Sequence, residues 1–314
     1  MNAVVALGKF IVGITTGSQA MLSEAAHSVA DTMNEGFLYT AVRRSKRKPD
    51  IDHPFGYGKE RFFWSLLAAV GIMVAGAGFS FIEAYNAIFG SQDSGGETYF
   101  WAFIVLGAAF CLEGSSWARA LWQTRKEARE ADRGFIEHIR VSSDPTVKTV
   151  ASEDSAALVG ILLAAGGLLG HMITGQRYWE GIASLAIGCL LVVVAYLLGA
   201  DAKGMLIGEA ADSRAREQIE TKLRSFDGVD EVLEVLTMQL GTGQVLVAAR
   251  VDFDEHLGAE DVEELSTQVE RELHEEIPDV YQVFLDATDK ESRKDRIKQP
   301  YTHAPLNALP HRDR

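Results

Sequence analysis

Long apolar runs fill the first two thirds of this sequence, and they constrain its fold more than any other feature. A helix that crosses a bilayer needs about 20 mostly apolar residues, within a range of about 17 to 25. Six stretches qualify or nearly do, at residues 1–17, 21–42, 62–89, 99–123, 147–173 and 179–199. The connection after the second is crowded with Arg43, Arg44, Lys46, Arg47, Lys48, Lys59 and Arg61. The one after the fourth holds Arg125, Lys126, Arg129, Arg133, Arg140 and Lys148. GSQA, GSQDSGGET and TGQR, which join the other runs, carry almost no Lys or Arg. Positive charge stays on the cytoplasmic side. Both basic loops are therefore expected in the cytoplasm, as are both termini given an even helix count, and the plasma membrane is the expected membrane. Only Met1 and Asn2 precede the first run, with no basic region. It reads as a short first membrane helix whose start has lost residues, rather than as a signal peptide.

From Glu209 onward the chain turns polar and acidic, and most of the net charge of −14 lies there, which argues against a nucleic-acid partner. SRAREQIETKLRSF has helical spacing of Ile219, Leu223 and Phe226. GVDEVLEVLTMQLGTGQVLVAARVDF reads as two strands about a Gly241-Thr242-Gly243 turn. GAEDVEELSTQVERELHEEI is a second helix ended by Pro278, and DVYQVFLDA a third strand. Both helices are expected on one sheet face. The expected organisation is a helical membrane domain over 1–208, a small α+β domain over 209–290 and a disordered tail over 291–314. Cys111 and Cys189, the only cysteines, support no disulfide framework or thiolate cluster and read as buried bystanders.

A charge at the bilayer centre costs about 2.5–3.5 kcal/mol on insertion scales, so such residues face the bundle interior and mark a pathway. SEAAHSVADTMN, residues 23–34, carries Glu24, His27 and Asp31 in the second run. His27 and Asp31 stand four apart and share a helix face. Imidazole nitrogen with carboxylate oxygen suits zinc and similar divalent ions, although a polar pair holding two helices together explains them equally well in isolation. The fifth run adds Glu153 and Asp154. Two helices with carboxylates at comparable depth supply three or four ligands to one ion, and tetrahedral zinc takes four. The two neighbours lie about 100° apart around the helix. Asp154 is the expected ligand, and Glu153 a fourth ligand, an outer partner or a proton carrier. Glu83 and Glu113, in the third and fourth runs, read as proton or ion relays, or equally as snorkelling or helix-pairing groups.

GSQAMLSEAAHSVADTMN in the second run, DIDHPFGYGKERF in the first basic loop and EDSAALVG in the fifth together resemble the cation diffusion facilitator family of zinc transporters. EDSAALVG is most similar to the branch that includes the mitochondrial zinc transporter of animal cells. The resemblance covers nearly the whole chain. It implies six transmembrane helices followed by a small cytoplasmic α+β, ferredoxin-like domain that pairs two protomers. It also implies an ion held by two residues on the second helix and two on the fifth, each pair spaced four apart. His27 and Asp31 match the first pair and Asp154 the second member of the other, whose first member falls at Val150. Valine has no ligand atom, so Glu153, a water or a residue elsewhere completes the set. Some members bind a further ion in the first cytoplasmic loop through Asp and two His. Asp50 and His53 match, Tyr57 takes the third place, and a capped turn is the preferred reading. The soluble domain of many relatives binds zinc through histidines. Here only His256 and His274 lie in it, and no well-formed site is expected.

The implied activity is secondary export of a divalent metal ion, zinc first, in exchange for protons. The partners are that ion, protons, the lipid bilayer and a second copy of the chain, with no tightly bound cofactor and no enzymatic activity. There is no GxxxxGK[ST] run to support primary pumping. The rivals are a membrane-embedded hydrolase, for which HExxH and GxSxG are missing, and a metal-regulated scaffold that has lost transport, suggested by Val150.

Overall fold

The computed structural model describes residues 2–90, 99–130, 134 and 145–289, apart from the side chains of 2–4, 99 and 145–151. The expected tail, 291–314, lies outside the described residues. The chain divides at Gly208 and Glu209 into two compact units.

The first unit is helical. It comprises α1 (Asn2–Thr16), α2 (Gln19–Ser45), α3 (Glu60–Gly71), a π-helical segment (Ile72–Ala77), α4 (Gly78–Phe89), α5 (Tyr99–Glu130), α6 (Pro145–Thr174) and α7 (Tyr178–Ile207). Among the described residues, four stretches are long and apolar enough to cross a membrane: Glu60–Phe89, Phe100–Glu130, Ser152–Thr174 and Tyr178–Ile207; Val5–Thr16 is a shorter apolar helix. α2 falls short of that measure because its inward side is polar. Ser23, Glu24, His27, Ser28 and Asn34 are buried, while Val29 and Met33 face outward. α5 and α7 run beyond the expected ends at 123 and 199, since helix formation does not stop where the apolar window does. α7 stops at Gly208, whose φ of 98° is a left-handed conformation that only a residue without Cβ adopts freely.

Small side chains build the core of this unit, with Ala20, Ala30, Ala69, Ala77, Ala164 and Ala183 in one cluster with Ile161, Ile187 and Leu191. Small residues let helix backbones approach closely in a membrane. A Cβ on Gly167 of α6 would lie 2.5 Å from Ala183 Cβ of α7, and one on Gly181 of α7 would lie 2.6 Å from Ile88 Cγ1 of α4. At the bundle end away from the basic loops, Gly17 turns the chain between α1 and α2 with φ of 68°. Ser18 caps α2 by accepting from the Met21 amide at 3.3 Å, and its hydroxyl donates to the Glu180 carboxylate. Glu180 Oε1 also lies 2.5 Å from His171 Nδ1, and Arg177 donates to the Gly17 carbonyl at 3.1 Å. Cys111 and Cys189 correct the expectation of buried thiols, because both are exposed on outward faces. A thiol is apolar enough to sit among the outward-facing Phe110, Leu112 and Val192.

The second unit holds α8 (Ser213–Arg224), β1 (Val229–Gly241), β2 (Gln244–Phe253), α9 (Ala259–Glu276) and β3 (Val280–Ala287). β2 is central, antiparallel to β1 and parallel to β3, with α9 as the crossover between the parallel pair. Asp212 starts α8 by accepting from the Ala215 amide at 2.9 Å. Val245, Val247, Ala249 and Val251 alternate inward along β2 and join Ile219 and Leu223 of α8 and Val269 and Leu273 of α9 in one core. Both helices therefore cover the same sheet face. On the other face, Leu236, Ala248 and Phe284 lie in register across the three strands, and Leu236 and Phe284 are exposed.

Candidate ion site in the helix bundle

Glu24, His27, Asp31 and Asn34 recur at intervals of three and four along α2, which stacks them on one face. His27 is 2% exposed, and its Nε2 lies 3.5 Å from Asp31 Oδ2. α6 packs against this face and brings Glu153 to it, where the Asn34 side-chain amide donates to the Glu153 carboxylate. Asp31 and Glu153 are within electrostatic reach of each other. Asp154, one residue on, turns to α5, where Ser116 hydrogen-bonds it and Glu113 acts on it electrostatically, as does Glu35 of α2. Glu113 also acts on Asp31, so it belongs to the same acidic interior. On the α1 side, Lys9 Nζ donates to Glu24 Oε1 at 3.0 Å and to Ser28 Oγ at 2.7 Å.

Buried polar atoms in folded proteins almost always find a partner. Both ring nitrogens of His27, Asp31 Oδ1, Glu153 Oε1 and Asp154 Oδ2 are buried with no hydrogen-bond partner among the described residues. They are the nitrogen and oxygen donor types that divalent cations take. Among the described residues, no three His, Cys, Asp or Glu side chains converge closely enough to hold one ion. The donors stand instead in separate pairs: His27 with Asp31, Glu153 with Asn34, and Asp154 with Ser116.

The sequence favours Asp154 as the α6 ligand, whereas the direct contact from α6 to this face of α2 is made by Glu153. Val150 lies one turn before Asp154 in α6, and its side chain is outside the described residues. Sequence reasoning passed over Lys9 and Asn34 and left Glu24 without a role. The spacing of Glu24 and Asn34 to His27 and Asp31 could have found those two. Lys9 had only its place in an apolar helix as a signal.

In the first basic loop, Asp50 Oδ1 accepts from the backbone amides of Asp52 and His53 at 3.2 and 2.9 Å. Tyr57 donates its hydroxyl to Asp50 Oδ2 at 2.7 Å, and the His53 and Tyr57 rings lie 4.2 Å apart. These contacts make a capped turn leading into α3, with the tyrosine closing the third position. The Tyr57 hydroxyl, assisted by His53, holds the Asp50 carboxyl below its ordinary value of 3.8. A depressed carboxylate stabilises the fold above its unfolded pKa, and that contribution fades as pH falls through the folded value. Tyr57→Phe should move the Asp50 titration up towards its ordinary value, as followed by carboxyl NMR. An unmoved titration would show that the hydroxyl contact does not form. In the second unit, His256 pairs with Asp254 at 2.8 Å, and the His274 ring nitrogens lie 2.8 and 3.1 Å from the carbonyls of Glu270 and Tyr281.

Residues 1–207 match the cation efflux transmembrane domain and residues 211–286 the cation efflux protein, cytoplasmic domain. The chain is 32% identical over 246 residues to "Proton-coupled zinc antiporter SLC30A9, mitochondrial" of Mus musculus, covering 78% of this chain and 43% of that protein. It is 34% identical over 246 residues to Metal tolerance protein C4 of Arabidopsis thaliana, covering 78% and 53%. It is also 39% identical over 79 residues to Mitochondrial metal transporter 2 of Saccharomyces cerevisiae, covering 25% and 16%. The chain thus spans about half the length of the first two relatives. The expected plasma-membrane location is overturned here, since two of these relatives are named as mitochondrial. Hydropathy and loop charge report insertion and orientation, and neither distinguishes one membrane from another. The matched domains are those of cation efflux transporters and not of enzymes. By both matched domains, the chain belongs to the cation diffusion facilitator family, close to the branch that holds the mitochondrial zinc transporter.

Proposed function

We propose that this chain moves a divalent metal ion, zinc first, across a membrane in exchange for protons, through a site built on His27, Asp31, Glu153 and Asp154. The observation that carries this reading is the set of buried nitrogen and oxygen atoms on α2 and α6 that have no hydrogen-bond partner among the described residues. Metal binding requires neutral imidazole and ionised carboxylates, so an arriving ion displaces protons from the same groups. Coupled exchange follows when the site opens to the two sides in turn. Glu153 and Asp154 exchange their contacts with Asn34 and Ser116 for the ion, each giving up one side-chain hydrogen bond. The relative named as a proton-coupled zinc antiporter supports both the ion and the counter-ion.

All six helical segments described above span in this reading, α2 and the shorter α1 included. Its polar side is turned into the bundle and its outward side carries Val29 and Met33. Two copies pair through the second unit, supported by the matched cytoplasmic domain and by the exposed Leu236 and Phe284 on the sheet face away from the helices. The relatives' names support the mitochondrion as the membrane's place.

Flux into proteoliposomes tests the activity. Purified full chain in vesicles holding a zinc-sensitive dye should move zinc at a rate set by the imposed pH gradient. Manganese, iron and cobalt should be added as competitors. Folded protein that moves no metal would leave the scaffold reading standing, and covalent change of an added substrate would favour the hydrolase.

A further inference from the structure

Among the described residues, Lys9 is a fully buried lysine in the bundle interior that the ion site does not use. It stands in α1, NAVVALGKFIVGITT. Its amino group binds Glu24 Oε1 and Ser28 Oγ at 3.0 and 2.7 Å. Glu24 is fully buried as well, and its second oxygen, Oε2, has no partner among the described residues. Gly160 of α6 leaves that oxygen its space, since a Cβ there would sit 2.7 Å from it. Glu24 therefore lies at the α2–α6 crossing, one turn before His27 on the same helix face. Lys9 and Glu24 both act electrostatically on Asp31.

We propose that Lys9 is a tethered counter-ion that keeps Glu24 out of the coordination sphere of the transported ion and thereby sets affinity, metal preference and release. The inference rests on the ion-site reading above. With Lys9 in place, Glu24 is a neutralised pair. Without it, a carboxyl group with an oxygen that lacks a partner among the described residues stands beside the donors that receive the ion; an arriving ion displaces its proton, and carboxylate oxygen is a ligand for any divalent cation. Carriage requires binding that is firm enough to load and loose enough to let go. A compact ammonium held by two hydrogen bonds gives that restraint as a point charge.

The test uses purified full chain, with zinc and manganese affinities from chelator competition and zinc flux in proteoliposomes. Lys9→Met should bind zinc about tenfold more tightly, the order of effect expected for removing a unit charge from a partly screened interior. It should also carry zinc more slowly and discriminate less against manganese, which favours oxygen ligands. Glu24→Gln, which leaves Lys9 uncompensated, should weaken binding. Lys9→Met/Glu24→Gln should return affinity to near that of the parent. Equal zinc affinity in the parent and Lys9→Met, or in the parent and Glu24→Gln should Lys9→Met not fold, overturns the inference. Asp31→Ala is the control. If it loses zinc while the Lys9 and Glu24 variants match the parent, the ion site stands and the counter-ion role falls. If it keeps zinc, the ion site itself is misplaced.

Discussion

Asp31→Ala should stop metal export while leaving the bundle folded. Asp31 supplies an anionic donor whose Oδ2 lies 3.5 Å from His27 Nε2 and whose Oδ1 is unpartnered among the described residues. Removing a partner that only supports a metal ligand costs about 10–100-fold in affinity or activity. Loss of a donor atom itself should exceed that, so zinc flux should fall by more than about 100-fold. Folding should survive, because alanine is the best helix former and the substitution relieves an interior in which Glu24 and Glu113 also act on Asp31. Circular dichroism and size-exclusion profiles should therefore match the parent. Parental zinc flux in the variant would sink the assignment of the α2 site.

The second large effect separates the two acids of α6. Glu153→Gln should reduce zinc binding by more than about 100-fold, and Asp154→Asn by about 10–100-fold. The difference follows from where each side chain stands. Glu153 meets α2 through Asn34 and acts on Asp31, while Asp154 is held by Ser116 beside Glu113 on α5. Glutamine keeps the size of Glu153 and its contact with Asn34, so the loss reports charge and ligation rather than packing. Zinc competition assays on both variants decide the order. A larger loss in Asp154→Asn would make Asp154 the principal ligand and Glu153 its support. Val150→His gives an independent reading, since an imidazole one turn before Asp154 would share its side of the helix. Tightened zinc binding there would show that the Asp154 side also reaches the ion.

The helical segments and the hairpin of the second unit are legible because apolar periodicity and turn residues are local signals. His27 and Asp31 are legible for the opposite reason, as polar residues where a membrane helix should have none. Which of Glu153 and Asp154 meets α2 is not legible. A rotation of about 100° exchanges them, and that rotation is set by how α6 packs between α2 and α5. The Lys9–Glu24 pair depends on α1 lying against α2, fifteen residues on in the chain, and no single helix contains it. The π-helical segment at Ile72–Ala77 is bracketed by Gly71 and Gly78 and contains Gly76, but glycine in a membrane helix marks close packing as readily as a local break.

The two glycine contacts of α7 bear on how such a bundle can move. Gly167 against Ala183 and Gly181 against Ile88 place α6, α7 and α4 at separations where even one added methyl would collide. Sliding any of the three past its neighbour would drive backbone into side chain, so they are expected to travel as one block. Spin-label distances between α4 and α7 that change when zinc is added would contradict this. The contacts of α2 with α6 at Asn34 and Glu153 are of another kind, a hydrogen bond between side chains that can be remade without steric conflict. If the ion is held where proposed, shear would fall at the Asn34 and Glu153 end of the α2–α6 contact, away from the tighter approach of Gly160 to Glu24, and the gate would be part of the binding site itself.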